Sequence, residues 1–262
     1  VKQVRDMYLS SFEDCLSVPQ VTTIPNVGSS VRPYHNTGDN GQHHQLDTAT
    51  ISAFNEQMNE TLLRIKHRHA NVVELMARGV QAYVKESNGS GVSGKLQRFL
   101  ENFYSSRIGI RCLLGHHNAL YDQYKLTNDS KKTTENGDWV GIICKRTNVL
   151  QVIKNAVNDA IFVFENKYGP FTAPPVTFHT TEKRPQLRYI PSHLHHMTFE
   201  LTKNSLRATY ETHANKTRLP EVRIIISEGS EDITVKVSDE GGGIPRSAEK
   251  LIWSFGYTTA EL

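Results

Sequence analysis

Cysteine is scarce in this sequence: Cys15, Cys112 and Cys144 are the only three in 262 residues. They are far apart and odd in number, which argues against a disulfide scaffold or a cysteine-based zinc site and fits a reducing compartment. Tryptophan is scarcer still, with two. No apolar run approaches the roughly 18 residues needed to span a bilayer. An excess of one charge is also missing, since 30 Lys and Arg stand against 27 Asp and Glu for a net +3. There is no basic arm or stripe of the kind nucleic-acid binding uses. The chain starts at Val1 with acidic Asp6, Glu13 and Asp14 close behind. No signal or transit peptide is therefore expected in it, and Val1 suggests a natural start further upstream. What is present suffices for packed cores: 37% hydrophobic and 22% charged residues exclude wholesale disorder. The length suits two domains or one large one, at roughly 100–200 residues each.

Along the chain, residues 1–16 place Val4, Tyr8, Leu9, Phe12, Cys15 and Leu16 at helical spacing. Residues 17–47, rich in Pro, Gly, Asn and His, read as a long loop. A long amphipathic helix is expected over 48–85, carried by Ile51, Phe54, Met58, Leu62, Ile65, Val72, Val73, Met76 and Val80. Residues 87–94 read as a Gly/Ser loop, 96–124 as another helix and 126–138 as polar loop. Long helices with short connections imply an antiparallel helical bundle. The second half reads differently. Residues 139–144 and 176–180 are strand candidates, and 148–167 and 192–213 are helices, the latter with Ser192 as N-cap after Pro191. Strands 222–227 and 232–238 are joined by a turn at 228–231, with Ile233, Val235 and Val237 facing inward. The pattern suggests an α/β sandwich with one helical face.

The helix at 192–213 carries the most chemistry. At 100° per residue, Glu200, Lys203, Asn204 and Arg207 share one polar stripe. Leu194, Met197, Leu201 and Ala208 form a neighbouring apolar face, and Phe199 and Leu206 a third. A helix apolar on two sides should be buried, with its stripe facing a cavity or partner. The plainer reading is a surface salt bridge between Glu200 and Lys203. A second feature is Asp239-Glu240-Gly241-Gly242-Gly243-Ile244-Pro245, directly after a strand. Glycines allow a turn with positive φ and close approach to a ligand. An Asp at a strand end can accept from an exocyclic amine such as a purine offers. By itself this segment is also consistent with a simple glycine-rich turn.

Together the two segments have the order of the N box and first glycine box of the GHKL, or Bergerat, ATP-binding fold. The likeness extends further. Tyr189-Ile190-Pro191-Ser192-His193-Leu194, Phe199-Glu200-Leu201-Thr202-Lys203-Asn204-Ser205-Leu206-Arg207-Ala208-Thr209 and Ser238-Asp239-Glu240-Gly241-Gly242-Gly243 resemble the mitochondrial pyruvate dehydrogenase kinases. Trp139-Val140-Gly141-Ile142-Ile143-Cys144, Asn166-Lys167-Tyr168-Gly169 and Thr258-Thr259-Ala260-Glu261 lean toward the sister branched-chain 2-oxoacid dehydrogenase kinase. Tyr8-Leu9-Ser10-Ser11-Phe12-Glu13-Asp14, Ile65-Lys66-His67-Arg68-His69-Ala70-Asn71-Val72-Val73 and Phe103-Tyr104-Ser105-Ser106-Arg107-Ile108-Gly109-Ile110-Arg111 are similar to the helical regulatory domain of that family. Residues 25–46 do not match.

The resemblance implies a four-helix-bundle regulatory domain over 1–138 and a GHKL α/β sandwich over 139–262, with a lid and second glycine box expected beyond Leu262. It implies ATP-dependent serine phosphorylation of the decarboxylase component of a mitochondrial 2-oxoacid dehydrogenase complex, which inactivates it, in the mitochondrial matrix. The cofactors are then ATP and Mg²⁺. Asn204 supplies an oxygen to Mg²⁺, Asp239 reads adenine, and Lys203 and Arg207 support the phosphates. Gly241 and Gly243 let the backbone approach, and Thr258 and Thr259 contact the nucleotide. Glu200 is the base, oriented by His117. By its register with Phe99, Phe103, Ile110 and Leu113, His117 also reads as a core histidine. Expected partners are the decarboxylase component, the lipoyl-bearing acyltransferase core and a second copy of the chain, with no nucleic acid and no membrane span.

Readings of another class are a GHKL ATPase or histidine kinase, with His117 as phospho-acceptor, and a GHKL binding or regulatory module without turnover. Gly89-Ser90-Gly91-Val92-Ser93-Gly94-Lys95 nearly spells a P-loop, but Leu96 stands where Ser or Thr would hold Mg²⁺, and helix rather than strand precedes it. His193, His195 and His196 lack a carboxylate at zinc spacing. His43-His44 falls in a loop and is expected to be solvated. The VAIK, HRD and DFG motifs of eukaryotic protein kinases are absent.

Overall fold

The computed structural model describes residues 1–18, 48–86, 93–128, 136–181, 185–255 and 257. Outside them lie residues 19–47, expected as a loop and containing His43-His44, most of the P-loop-like segment, residues 129–135 of the stretch expected as polar loop, and Thr258 and Thr259. The chain divides into two units, one of residues 1–128 with 254–262 and one of residues 129–253.

The first unit is helical: α1 (Lys2–Ser17), α2 (Thr48–Arg68), α3 (Val72–Glu86) and α4 (Gly94–Asn128). Val4, Val72, Met76, Val80 and Leu100 form its buried core, against which Tyr8, Leu96, Phe103, Tyr104 and Phe255 pack. The single helix expected over 48–85 is two helices, broken at residues 69–71. Apolar spacing runs on through the break, but Arg107 Nη2 donates to the His69 carbonyl at 2.9 Å. A cation on a C-terminal carbonyl satisfies an orphan acceptor and complements the helix dipole, so α2 stops there. The His69 side chain turns inward and lies 3.0 Å from Ser11 Oγ.

The second unit mixes strands and helices. The segment expected as one strand is a hairpin, β1 (Trp139–Val140) and β2 (Ile143–Asn148), reversed where Gly141 adopts φ +58°. Only glycine takes that conformation without strain. Asn148 caps α5 (Val149–Tyr168) by accepting from the Gln151 N–H at 3.0 Å. β3 (Val176–Thr180) follows, then β4 (Gln186–Tyr189), which pattern reading passed over, then α6 (Pro191–Thr212). Ser192 is not the N-cap of α6: Ile190 is, without a side-chain bond, and Pro191 occupies the first turn with its φ already helical. β5 (Val222–Glu228) and β6 (Ile233–Ser238) complete the unit.

β1, β2 and β4 form one antiparallel sheet; β3 runs parallel to β5, and β5 antiparallel to β6, in the other. Val149, Ile153 and Val157 of α5 pack on Ile224 and Ile226 of β5. Ala160 and Phe164 meet Leu206 of α6 and Val222. One face of this sheet is thus covered by helices, and α6 packs on β5 and on β6, the strand that leads into Asp239. Among the described residues no helix is long and apolar enough to cross a membrane.

Candidate nucleotide-binding site

The site is built from α6 and the loop that leaves β6. The face that buries α6 differs from the expected one. Met197 and Leu201 are exposed, 47% and 53%. The buried residues are Thr198, Thr202, Ser205, Leu206 and Thr209. Thr198, Thr202 and Thr209 each bury a methyl group there in place of a larger apolar side chain. Rotating the burial toward Ser205 and Thr209 turns that flank of α6 to the glycine loop.

The loop is fastened to this flank at several points. Ser205 Oγ donates to Asp239 Oδ2 at 2.7 Å. The Gly241 N–H donates to Asp239 Oδ1 at 2.9 Å. Thr212 Oγ1 donates to the Gly241 carbonyl and His213 Nε2 to the Glu240 carbonyl, each at 2.9 Å. Since a carbonyl only accepts, that His213 nitrogen carries its proton.

The three glycines serve different needs. Gly242 and Gly243 have φ +85° and +73°. Gly241 is required for space, because a Cβ there would strike the Cβ of Ala208 and come within 2.9 Å of its backbone carbon. A Cβ at Gly243 would meet nothing within 4 Å, so that stretch of backbone is open.

The polar stripe lies along α6 as spacing predicts. Lys203 Nζ is 2.7 Å from Glu200 Oε2, the pair an ordinary surface helix would make. Lys203 also lies over the Phe199 ring at 5.1 Å. The Asn204 side chain is exposed. Arg207 Nε is 3.2 Å from Glu211 Oε1, which also accepts from the Tyr168 hydroxyl at 3.2 Å. Burial and this bond to a carboxylate raise the Tyr168 pKa. Pattern reading singles out Glu200, Lys203, Asn204, Arg207, Asp239, Gly241 and Gly243 as candidates, all of which lie on α6 or in the loop after β6. It missed Ser205, Thr212, His213 and Glu211, whose roles depend on tertiary neighbours.

The second unit therefore brings Asn204, Asp239, Gly241 and Gly243 into one region, since the residue after Asn204 holds Asp239. The donor set fits a magnesium nucleotide. Asn204 offers one side-chain oxygen, which suits an ion that keeps water and phosphate as its other ligands. Asp239 presents a fixed acceptor beside open glycine backbone. His117, on α4 of the other unit, has a buried Nε2 without a hydrogen-bond partner among the described residues. His195 pairs with Asp159 at 2.9 Å. Among the described residues no group of three or more His, Cys, Asp or Glu could hold a metal ion.

Comparison with known proteins identifies the family. The profile described as "Mitochondrial branched-chain alpha-ketoacid dehydrogenase kinase" matches residues 1–144. This chain belongs to the mitochondrial pyruvate dehydrogenase kinase and branched-chain 2-oxoacid dehydrogenase kinase family. The profile described as "Histidine kinase-, DNA gyrase B-, and HSP90-like ATPase" matches residues 189–261, which contain α6, β5, β6 and the glycine loop. The chain is 37% identical over 239 residues to the mitochondrial pyruvate dehydrogenase (acetyl-transferring) kinase of Schizosaccharomyces pombe, covering 90% of this chain and 53% of that one. It is 36% identical over 261 residues to the kinase of the same name from Arabidopsis thaliana, covering 99% and 60%. With isozyme 1 from Homo sapiens the identity is 38% over 208 residues, covering 77% and 46%. The chain thus spans about half the length of these relatives.

Proposed function

We propose that the protein is a GHKL-type serine kinase that phosphorylates, and so inactivates, the decarboxylase component of the mitochondrial pyruvate dehydrogenase complex. The observation that carries this is Asp239 fastened to α6 at the residue following Asn204, beside an open glycine backbone. The names of the relatives supply the substrate. In this reading residues 1–138 are a four-helix-bundle regulatory domain and 139–262 belong to a GHKL ATP-binding domain. The protein works in the mitochondrial matrix, as a homodimer, on the lipoyl-bearing acyltransferase core.

Asp239 would accept from the adenine amine, Asn204 would supply an oxygen to Mg²⁺, and Lys203, Arg207, Thr258 and Thr259 would hold the nucleotide. Bound Mg-ATP supplies the phosphoryl group and the charge neutralisation on which such transfer depends. Glu200 takes the proton of the serine hydroxyl at its carboxylate oxygen. His117 is assigned the orienting role on the resemblance to the family.

A second reading, branched-chain 2-oxoacid dehydrogenase kinase, is favoured by the description of the family profile over residues 1–144. Incubating the full-length protein with each purified complex and labelled ATP separates the two. Acid-stable phosphoserine on the pyruvate complex is expected. Label on the branched-chain complex alone selects the second reading. Acid-labile phosphate on the protein itself points to a histidine kinase, and no label to a binding or regulatory module without turnover.

A further inference from the structure

We propose that Ser205 is a specificity-determining residue: acting through Asp239, it makes the base-reading edge of the site acceptor-only and so selects a 6-amino purine over a 6-oxo purine. The inference rests on the nucleotide-binding reading above.

Ser205 is on the buried face of α6, 7% exposed. Its Oγ donates to Asp239 Oδ2 at 2.7 Å, while the Gly241 N–H donates to Oδ1 at 2.9 Å. The carboxylate is thus held at both oxygens by donors from two elements, a helix and a loop. A terminal carboxylate torsion is otherwise soft. One pinned oxygen leaves the group free to pivot about that bond, whereas two fix its plane.

The chemistry of the edge follows from counting hydrogens. An ionised carboxylate has no donor, and each oxygen keeps a lone pair beyond the one already engaged. A serine hydroxyl has one hydrogen, and this one is committed to Asp239. Ser205 therefore cannot turn its hydrogen toward a ligand without breaking a charge-assisted bond, which is stronger than a neutral one. An amine presented to Asp239 meets acceptors in fixed positions. A carbonyl in its place meets only acceptors on Asp239, and neither the Ser205 hydroxyl nor the Gly241 N–H, both engaged with that carboxylate, is free to satisfy it. Rejection of a ligand that leaves polar groups unpaired is stronger than a change of shape achieves. With alanine at 205 the carboxylate loses one of its two fixed points and can pivot away from the base, so the penalty on the 6-oxo base shrinks.

The test measures equilibrium binding of Mg-ATP and Mg-ITP to the full-length protein and to its Ser205→Ala and Ser205→Cys variants. Inosine differs from adenosine at this position by an oxo group in place of the amine. The unaltered protein should bind ATP more tightly. Ser205→Ala should weaken ATP about five- to tenfold and change ITP by no more than about twofold, lowering the ATP/ITP ratio. Ser205→Cys keeps the side-chain shape with a weak donor and should lower the ratio likewise; it decides the question if the alanine variant does not fold. Equal weakening of both nucleotides, a wild-type ratio in the cysteine variant, or no ATP preference in the unaltered protein overturns the role of Ser205. If the unaltered protein binds neither nucleotide, the site reading itself falls.

Discussion

Glu200 is held by its neighbour one turn along, 2.7 Å from Lys203. An exposed pair of this kind is worth little to stability, so Glu200 can be altered without unfolding α6. Glu200→Gln should abolish phosphoryl transfer while leaving Mg-ATP affinity within about twofold, because the amide keeps the shape and loses the proton acceptor. Parallel binding and transfer assays check this, and normal transfer by the variant would remove Glu200 from the role of base. Asn204 sets the contrasting case. It lies on the same stripe but in the proposed reading offers an oxygen ligand rather than a base, so Asn204→Ala should lose the Mg²⁺ dependence of nucleotide binding. Titrating nucleotide with and without Mg²⁺ measures it. The candidate residues for this site are visible in the sequence because two short motifs hold them. Ser205 and Glu211 are not, because a serine or glutamate within a helix says nothing of what will pack beside it.

Among the elements, the junction of α2 and α3 carries the most consequence. His69 sits there with its side chain inward against Ser11 and its ring 4.3 Å from that of Tyr8. Burial lowers the His69 pKa from the usual 6.5; the nearby Arg107, Arg68 and Arg111 add to this, and the bond to the Met7 carbonyl opposes it. An unfolded chain protonates this ring near the usual value, and the folded one only at lower pH. Between the two, the unfolded state binds more protons, so stability is lost as pH falls from the usual value toward the lowered one. Below the lowered value the loss levels off. Urea midpoints of the native protein and His69→Gln should therefore diverge least at low pH and most near neutrality, and a constant difference would contradict this. The break itself could not be read from pattern. Ile65, Val72, Met76 and Val80 keep helical spacing across it, and the Arg107 guanidinium that ends α2 arrives from 38 residues away. β4 was hidden for another reason. It is four residues long, polar at alternate positions, and becomes a strand only by pairing with β2.

At the scale of the molecule, each unit has a core of its own. The helical one centres on Leu100, fully buried among Val4, Val72, Met76 and Val80. Leu100→Ala should cost about 2–5 kcal/mol, read as faster amide exchange in α3 and α4, and unaltered protection there would show that this core does not hold the helices. The division into a helical half and a mixed half was readable, since the apolar period changes from helix-like to alternating near the middle of the chain. The family was readable for a different reason: its motifs specify chemistry at fixed spacing, which residue types alone reveal. The packing of α6 was not, because threonine serves equally as a surface or an interior residue and only its neighbours decide.

The contact between Gly241 and α6 bears on what mutation can repair. A Cβ at 241 would collide with the side chain of Ala208 and crowd the helix backbone beneath it. Trimming Ala208 to glycine removes the first obstacle but not the second. Gly241→Ala should therefore lose nucleotide binding, and adding Ala208→Gly should fail to restore it, as binding assays on the single and double variants would reveal. A suppressor screen at this pair should come back empty, for the obstruction belongs to the main chain and no codon encodes a smaller one.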